Sequence, residues 1–240
     1  MNTFSSLLMS LGLISTAATA ATAAAPPWSV TFVIDMKARI AAKTFDPAKD
    51  AVGVRGGFAP LIVVGISDTE ARRDEYTPTR DERGGGKADL YDRLIVEELK
   101  PFIDRTYRTR PAASATGIGG ASLGGLVSLY LGLKYPDVFG TIFAVSPHVW
   151  WDHGVILKQV AALPKKTAQR IWVDVGTGEG EEYVDGVRQL RAALIAKGWK
   201  IGKELACTED DGAQHDELAW AARVEPMLRW ALAPSPERKP

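Results

Sequence analysis

The sequence predicts an α/β domain built on a mostly parallel sheet, and three observations carry that expectation. Short β-rich runs alternate with amphipathic helical runs along most of the chain. Several of the β runs are apolar through their centres, as strands covered on both faces are. A serine flanked by glycines, Gly120-Ala121-Ser122-Leu123-Gly124, falls between one such run and a helical one. A serine on a tight strand-to-helix turn is exposed at the sheet edge and demands small neighbours two residues away.

In chain order, residues 1–25 read as an export signal, with an apolar run Phe4–Ile14 followed by Ala/Thr repeats that offer small-x-small cleavage sites. Its n-region lacks Lys and Arg, and the uncharged stretch Asn2–Ala25 has the alternative of remaining as an uncleaved anchor. The α/β domain is expected over residues 26–233, with 234–240 a frayed tail. Strands are expected at Ser29–Asp35, Pro60–Ile66, Ala115–Gly119, Thr141–Ser146, Arg170–Val175 and Lys200–Cys207. Helices are expected at Ala88–Tyr107, Leu123–Lys134, Val155–Leu163, Val184–Lys197 and Glu217–Leu232. In the first helix Leu90, Leu94, Ile95, Leu99, Phe102 and Ile103 suggest one buried stripe, and Gly198 caps the fourth. The polar stretches Met36–Ala59 and Ser67–Lys87 read as loops, with Arg72 and Glu75 tying the second down as an ion pair. Only about 24 residues separate the strand ending near Ser146 from the one at Arg170, too few for a large cap domain.

Composition excludes several functions. The chain has 240 residues, enough for one domain with a substantial core, and 29 Lys+Arg balance 29 Asp+Glu. No net field therefore points to nucleic acid or an anionic membrane. Cys207 is the one cysteine, which excludes an intrachain disulfide, and it reads as a small buried residue near a strand end. No Cys/His cluster has zinc spacing and no glycine-rich phosphate loop is present, so neither a metal nor a cofactor is expected.

Ser122 is the candidate nucleophile. A serine hydroxyl near neutral pH needs a base within hydrogen-bond reach, and His215 is well placed, in a loop after the last strand and before the last helix. His148 and His153 flank Trp150-Trp151 and read as wall or surface residues. The third member of a relay is a carboxylate that holds the imidazole's tautomer. It is sought in the loop after Arg170–Val175, where Glu179 lies between glycines; Asp185 is the alternative, with Asp174, Glu181 and Glu182 behind it. The Leu123 N–H, at the start of a helix, faces where an oxyanion would develop. Trp150 and Trp151 follow the C-terminal end of a strand, where α/β proteins bind ligands, and with His148 are candidate substrate-binding residues. Tyr76 and Trp220 read as packing.

From about Pro60 to Leu232 the chain resembles the esterase D / enterochelin-esterase-like family of α/β-hydrolases. The resemblance rests on Ile62-Val63-Val64-Gly65-Ile66, Arg72-Arg73-Asp74-Glu75-Tyr76-Thr77-Pro78, and Glu97-Glu98-Leu99-Lys100-Pro101-Phe102-Ile103-Asp104. It extends through Ala121-Ser122-Leu123-Gly124-Gly125, Tyr135-Pro136-Asp137-Val138-Phe139-Gly140, Ser146-Pro147-His148-Val149-Trp150-Trp151, and His215 followed by Trp220. It implies an α/β-hydrolase fold and a serine ester hydrolase with a Ser–His–acid triad and no metal. Known activities of the family span siderophore lactones, feruloyl and acetyl esters of polysaccharides, S-formylglutathione, and acyl transfer to sugars. The family usually carries Asp-Gly after its first central strand, where this chain has Asp35-Met36; the second oxyanion donor then corresponds to the Lys37 N–H. The export signal leaves no room for the antiparallel strands that usually precede Ser29–Asp35.

The expectation is therefore a secreted or periplasmic esterase, monomer or homodimer, acting on a small-molecule or glycan ester with a short or aromatic acyl group. After signal cleavage it would have no membrane partner. Two alternatives use the same scaffold: an acyltransferase on the same triad, and a non-catalytic binding protein.

Overall fold

The structure is a computed structural model that describes residues 28–32 and 61–232, with side chains from residue 61 onward. The expected signal, Met36, Lys37, the loop Met36–Ala59 and the tail after 233 lie outside the described residues. No helix among the described residues is long and apolar enough to cross a membrane.

Six strands form the main sheet: β1 (Trp28–Phe32), β2 (Leu61–Val64), β5 (Thr116–Ala121), β6 (Thr141–Val145), β7 (Arg170–Gly176) and β8 (Leu205–Asp210). Their order is β2-β1-β5-β6-β7-β8, and every pairing is parallel. All six strands therefore end at one edge, where the described loops after β5, β6, β7 and β8 leave the sheet. Alternation sorts their side chains into two cores. Ile118, Ile142, Ala144, Ile171, Val173, Val175 and Leu205 face the larger one. Leu61, Val63, Phe143, Val145 and Trp172 face the other, which is closed by Met227, Leu228 and Ala231 of the last helix.

The helices are α1 (Arg72–Tyr76), α2 (Ala88–Arg93), α3 (Lys100–Thr106), α4 (Leu123–Lys134), α5 (Trp151–Ala162), α6 (Glu181–Lys197) and α7 (Glu217–Leu232). Helix α4 packs on β5 and β6, and α7 crosses the opposite face against β6 and β7. Between β6 and β7 stands α5 alone, so no large cap domain is inserted there. Gly198 closes α6 at φ 111°, in the left-handed conformation expected of a glycine cap.

Several expectations are corrected. The stretch expected as one helix over Ala88–Tyr107 contains a π-helical segment, Leu94–Leu99, ahead of Pro101. Proline lacks the N–H that would bond four residues back and crowds that carbonyl, so the turn before it widens. The buried face runs through Ala88, Tyr91 and Ile95, while Leu90, Leu94 and Phe102 are exposed at 61%, 43% and 52%. The stretch Ser67–Lys87 holds α1 and a small antiparallel pair, β3 (Arg80–Asp81) with β4 (Gly84–Gly85). Arg72 pairs with Asp68 at 2.9 Å rather than with Glu75, whose carboxylate accepts from the Thr69 hydroxyl at 2.6 Å. The last strand begins at Leu205, five residues later than expected, because residues 200–205 form a turn through Gly202, at φ 78°. Cys207 lies inside that strand and is only partly buried.

The entry to β6 depends on a close approach. Gly140 donates to the Ala113 carbonyl at 2.9 Å. A Cβ at Gly140 would stand 2.3 Å from that oxygen and 2.7 Å from its carbon, both backbone atoms that cannot swing away. Gly140→Ala is expected to destabilise the fold by about 2–3 kcal/mol, read as a lower urea midpoint at unchanged slope.

Candidate active site

Strand β5 ends in Ala121 and α4 begins at Leu123, leaving Ser122 to make the turn. It does so at φ 60° and ψ −123°, a region that non-glycine residues rarely occupy. Its N–H donates to Val145 O at 2.9 Å, and its carbonyl accepts from Leu126 N–H at 3.1 Å as the helix starts. The expectation of two obligatory glycines holds at one of them. A Cβ on Gly120 would lie 2.8 Å from the backbone of Gly124, whereas a Cβ on Gly124 would meet nothing within 4 Å. The turn thus brings the Gly120 position against the backbone of Gly124, and the second glycine is free to carry a side chain. Gly120→Ala is expected to lower stability by about 2 kcal/mol or more. Gly124→Ala should stay within about 1 kcal/mol of wild type or gain slightly from helix propensity. Thermal unfolding of the two variants measures the difference, and equal losses would contradict it.

The loops after β7 and β8 lie flush against each other. Thr177 N–H donates to Asp210 O at 2.9 Å and Gly178 N–H to Ala213 O at 3.0 Å, while Gly212 N–H donates to Thr177 Oγ1 at 2.8 Å. Cβ atoms on Gly176 and Gly178 would sit 2.2 Å from Ala213 O and 2.1 Å from the Gln214 side chain. These glycines let two backbones touch, and the contact carries Glu179 to His215. His215 Nδ1 lies 2.7 Å from Glu179 Oε2, and His215 Nε2 lies 3.0 Å from Ser122 Oγ. Ser122, His215 and Glu179, named separately from sequence, are thus joined by two hydrogen bonds. Asp185, the alternative acid, lies on α6 with its side chain 52% exposed beside Arg188. Glu181 and Glu182 are exposed in the first turn of that helix.

The Glu179 side chain has no exposed surface. Its Oε1 accepts from Ser146 Oγ at 2.5 Å, Gly176 N–H at 2.6 Å and Arg223 Nη2 at 3.3 Å. Burial pushes its pKa up, but the hydrogen bonds from His215, Ser146 and Gly176 outweigh it and hold the carboxyl below its ordinary value. Beside it Asp174 is fully buried, takes hydrogen bonds from Arg223 Nη1 at 2.7 Å and Trp172 Nε1 at 2.6 Å, and is pushed up to about 6 by burial. The sequence reading gave Ser146 and Arg223 no role at the site, and Asp174 only that of a remote candidate for the acid. A signal for Arg223 existed: it takes the position four before Met227 on the apolar face of α7.

Aromatic rings enclose the imidazole. Tyr183 stands 4.5 Å from His215, Trp220 meets it edge-on at 4.9 Å, and His148 stacks parallel at 5.8 Å. Trp220 also donates its indole N–H to Ser146 Oγ at 3.2 Å, so it does more than pack. His148 Nε2 and the Tyr183 hydroxyl are 2.5 Å apart. Burial, then the charges of His215, Arg72 and Arg83, lower His148 to about 4, so it is neutral near pH 7. The two tryptophans part company. Trp150 is half-buried, 4.7 Å from His148, and borders a cleft of about 370 Å³ lined also by His153, Leu157, Glu182, Asp185 and Gln189. Trp151 is 2% exposed and donates its indole N–H to Thr79 O at 2.9 Å, which makes it a core residue rather than a wall. The Arg83 guanidinium covers both rings, at 4.6 and 4.8 Å. Among the described residues no group of three or more His, Cys, Asp or Glu side chains could hold a metal ion.

Comparison with known proteins agrees with this architecture. A family model described as "Putative esterase" matches residues 43–231. The Bacillus subtilis protein named ferri-bacillibactin esterase BesA is 32% identical over 224 residues, covering 79% of this chain and 75% of that protein. The uncharacterized protein YbbA of the same organism is 29% identical over 184 residues, covering 71% and 72%. The crystal structure of the BES protein from Bacillus cereus superposes with a TM-score of 0.66 at 22% identity, over 90% of this chain and 86% of that one. With a parallel sheet, a serine on a strained strand-to-helix turn and a family match spanning most of its length, the chain belongs to the enterochelin-esterase-like putative esterase family of α/β-hydrolases.

Proposed function

We propose that this chain is a serine ester hydrolase that acts outside the cytoplasm, on carboxylic esters with a short or aromatic acyl group. The family supplies the reaction class, ester hydrolysis. The observation that carries the mechanism is the relay Ser122 Oγ–His215 Nε2 at 3.0 Å and His215 Nδ1–Glu179 Oε2 at 2.7 Å. Ser122 Oγ attacks the ester carbonyl carbon as its proton passes to His215 Nε2. Glu179 stabilises the resulting imidazolium from the Nδ1 side and keeps the tautomer that leaves Nε2 free to accept. The oxyanion is met by the Leu123 N–H, at the first position of α4, with the Lys37 N–H as its second donor. Collapse releases the alcohol, protonated by His215, and leaves an acyl-serine. Water then attacks the acyl carbon, His215 taking its proton, and the acyl–Oγ bond breaks as His215 returns that proton to Ser122 Oγ and the carboxylic acid departs.

The absence of a cap between β6 and β7 is consistent with bulky acyl or alcohol parts reaching the serine. Trp150, His148 and Tyr183 form an aromatic wall beside His215 on which an aryl acyl group can stack. The relative whose name specifies ferri-bacillibactin makes a catecholate lactone a substrate worth testing. Residues 1–25, read as an export signal, support action in the periplasm or the medium.

Ser122→Ala should lower p-nitrophenyl acetate turnover by about 10⁴-fold or more while leaving the thermal transition in place. Glu179→Gln should cost on the order of 10³–10⁴-fold in kcat. Asp185→Asn should stay within about twofold, as an exposed side chain outside the relay. Reversal of the last two would move the acid to Asp185. For the wall, acetyl, butyryl, octanoyl and feruloyl esters and a catecholate trilactone are compared on Trp150→Ala and Trp151→Ala. Trp150→Ala should lower kcat/KM for the aromatic esters about three- to tenfold relative to acetyl. Trp151→Ala should instead lower stability by about 3–5 kcal/mol with little change in the ratio. An equal effect of Trp150→Ala on all esters would remove the wall.

A further inference from the structure

Behind the proposed relay lies a buried cation that ester hydrolysis does not itself require. Arg223, on α7, is 5% exposed. Its Nη1 donates to Asp174 Oδ1 at 2.7 Å, its Nη2 to Ser146 Oγ at 3.2 Å and Glu179 Oε1 at 3.3 Å, and its Nε to Ala219 O at 3.2 Å. Burying a guanidinium is costly unless it is fully paired, and replacing such an ion pair by apolar groups is often neutral. The neighbours of Arg223 on this helix face are Met227, Leu228 and Ala231, so an apolar residue would fit the pattern.

The arrangement of the partners suggests why a cation stands there. The two oxygens of Glu179 have separate duties: Oε2 meets His215, and Oε1 meets Ser146, Gly176 and Arg223. The terminal torsion of a glutamate is soft and roughly two-fold, so a free carboxylate would rotate and exchange its oxygens. Donors gathered on one oxygen stop that rotation. Asp174, held in turn by the Trp172 indole N–H and standing opposite Val145 in the last register pair of β6 and β7, anchors the other arm of the guanidinium to the sheet.

We propose that Arg223 is a positioning residue of the hydrolase: with Ser146 it locks Glu179 through Oε1, so that Oε2 stays on His215, and its charge tempers the basicity of the Glu179–His215 pair. The proposal rests on the Ser122–His215–Glu179 reading above. The charged and titratable groups facing the Glu179–His215 pair and Arg223 are Asp174 from β7, Asp210 at the end of β8, 3.9 Å from Arg223 Nε, Tyr183 from α6, 4.5 Å from His215, and His148 from the segment after β6, 5.8 Å from His215 and neutral near pH 7. Removing the one fixed cation among them raises the proton affinity of the pair, so the base becomes protonated at higher pH.

The test uses the full chain with Arg223→Met, Arg223→Lys and the double variant Arg223→Met/Asp174→Asn, which removes the cation without stranding a buried carboxylate. Competent sites are counted by fluorophosphonate titration, folding is followed by circular dichroism, and p-nitrophenyl acetate hydrolysis is measured across pH. Both Met-bearing variants should lose about ten- to a hundredfold in kcat per titrated site, with KM little changed. The acid limb of the kcat/KM profile, which reports protonation of the base, should move up by about half a pH unit or more in Arg223→Met and by less in the double variant, where the Asp174 carboxylate is removed with the cation. Arg223→Lys keeps the charge without the fork and should restore the limb to its wild-type position while recovering only part of kcat. Wild-type kcat per site with an unmoved limb in a folded Met-bearing variant would overturn the proposal. So would failure of both Met-bearing variants to fold, which would mark the cluster as structural only. Turnover surviving Ser122→Ala would instead overturn the relay itself, leaving the two failures distinguishable.

Discussion

A carboxylate with no exposed surface is the constraint around which the C-terminal edge of this sheet is built. Removing Glu179 from water costs several kcal/mol, and only donors that arrive together can offset it. They come from four parts of the chain: Ser146 at the end of β6, Gly176 at the end of β7, His215 from the loop after β8, and Arg223 from α7. A shift of any one leaves a buried acceptor short of a partner. The acid therefore couples three strand ends and the last helix. The aromatic groups around His215 inherit their positions from it, since Trp220 is tied to Ser146, and Ser146 to the acid.

Strain at this edge is carried by the sheet. Ser122 and Ser146 leave neighbouring strands with positive φ, 60° and 44°, conformations that cost on the order of 1–3 kcal/mol each. Each is held by a backbone bond that extends the ladder one residue further: Ser122 N–H to Val145 O at 2.9 Å, and Ser146 N–H to Asp174 O at 3.0 Å. At both serines the chain turns sharply where the next strand already grips it. One turn lifts the Ser122 hydroxyl to His215, and the other aims the Ser146 hydroxyl back at Glu179. The loops after β7 and β8 solve a different problem, close contact rather than sharp turning, and they do it with glycines that have no side chain to keep the backbones apart.

Much of this was legible in the residues. The strand order along the chain, the serine turn, a histidine in the loop after the last strand and a glutamate between glycines are local signals, and each named a residue that the fold brings to the same place. The misreadings share one cause. Spacing alone sets the expected face of Ala88–Tyr107, yet Ala88, Tyr91 and Ile95 take the buried side and leave Leu90, Leu94 and Phe102 in solvent. Trp150 and Trp151 were indistinguishable in sequence, yet one borders the site and the other is buried and bonded to Thr79. Arg223 was visible as a charge in an apolar stripe, but nothing along the chain told what it would meet.

By itself the sequence determined the α/β alternation, the obligatory turn at Ser122 and the cap at Gly198. Backbone demands of this kind are met by the residue and its immediate neighbours, so they can be read in one dimension. Only the tertiary structure decided that Glu179 rather than Asp185 reaches His215, that Gly120 rather than Gly124 is sterically required, and that Arg223 joins Asp174 to Glu179 across 49 and 44 residues. Those outcomes depend on which surfaces are buried against each other. Desolvation is set by partners distant in sequence, and no local pattern records them.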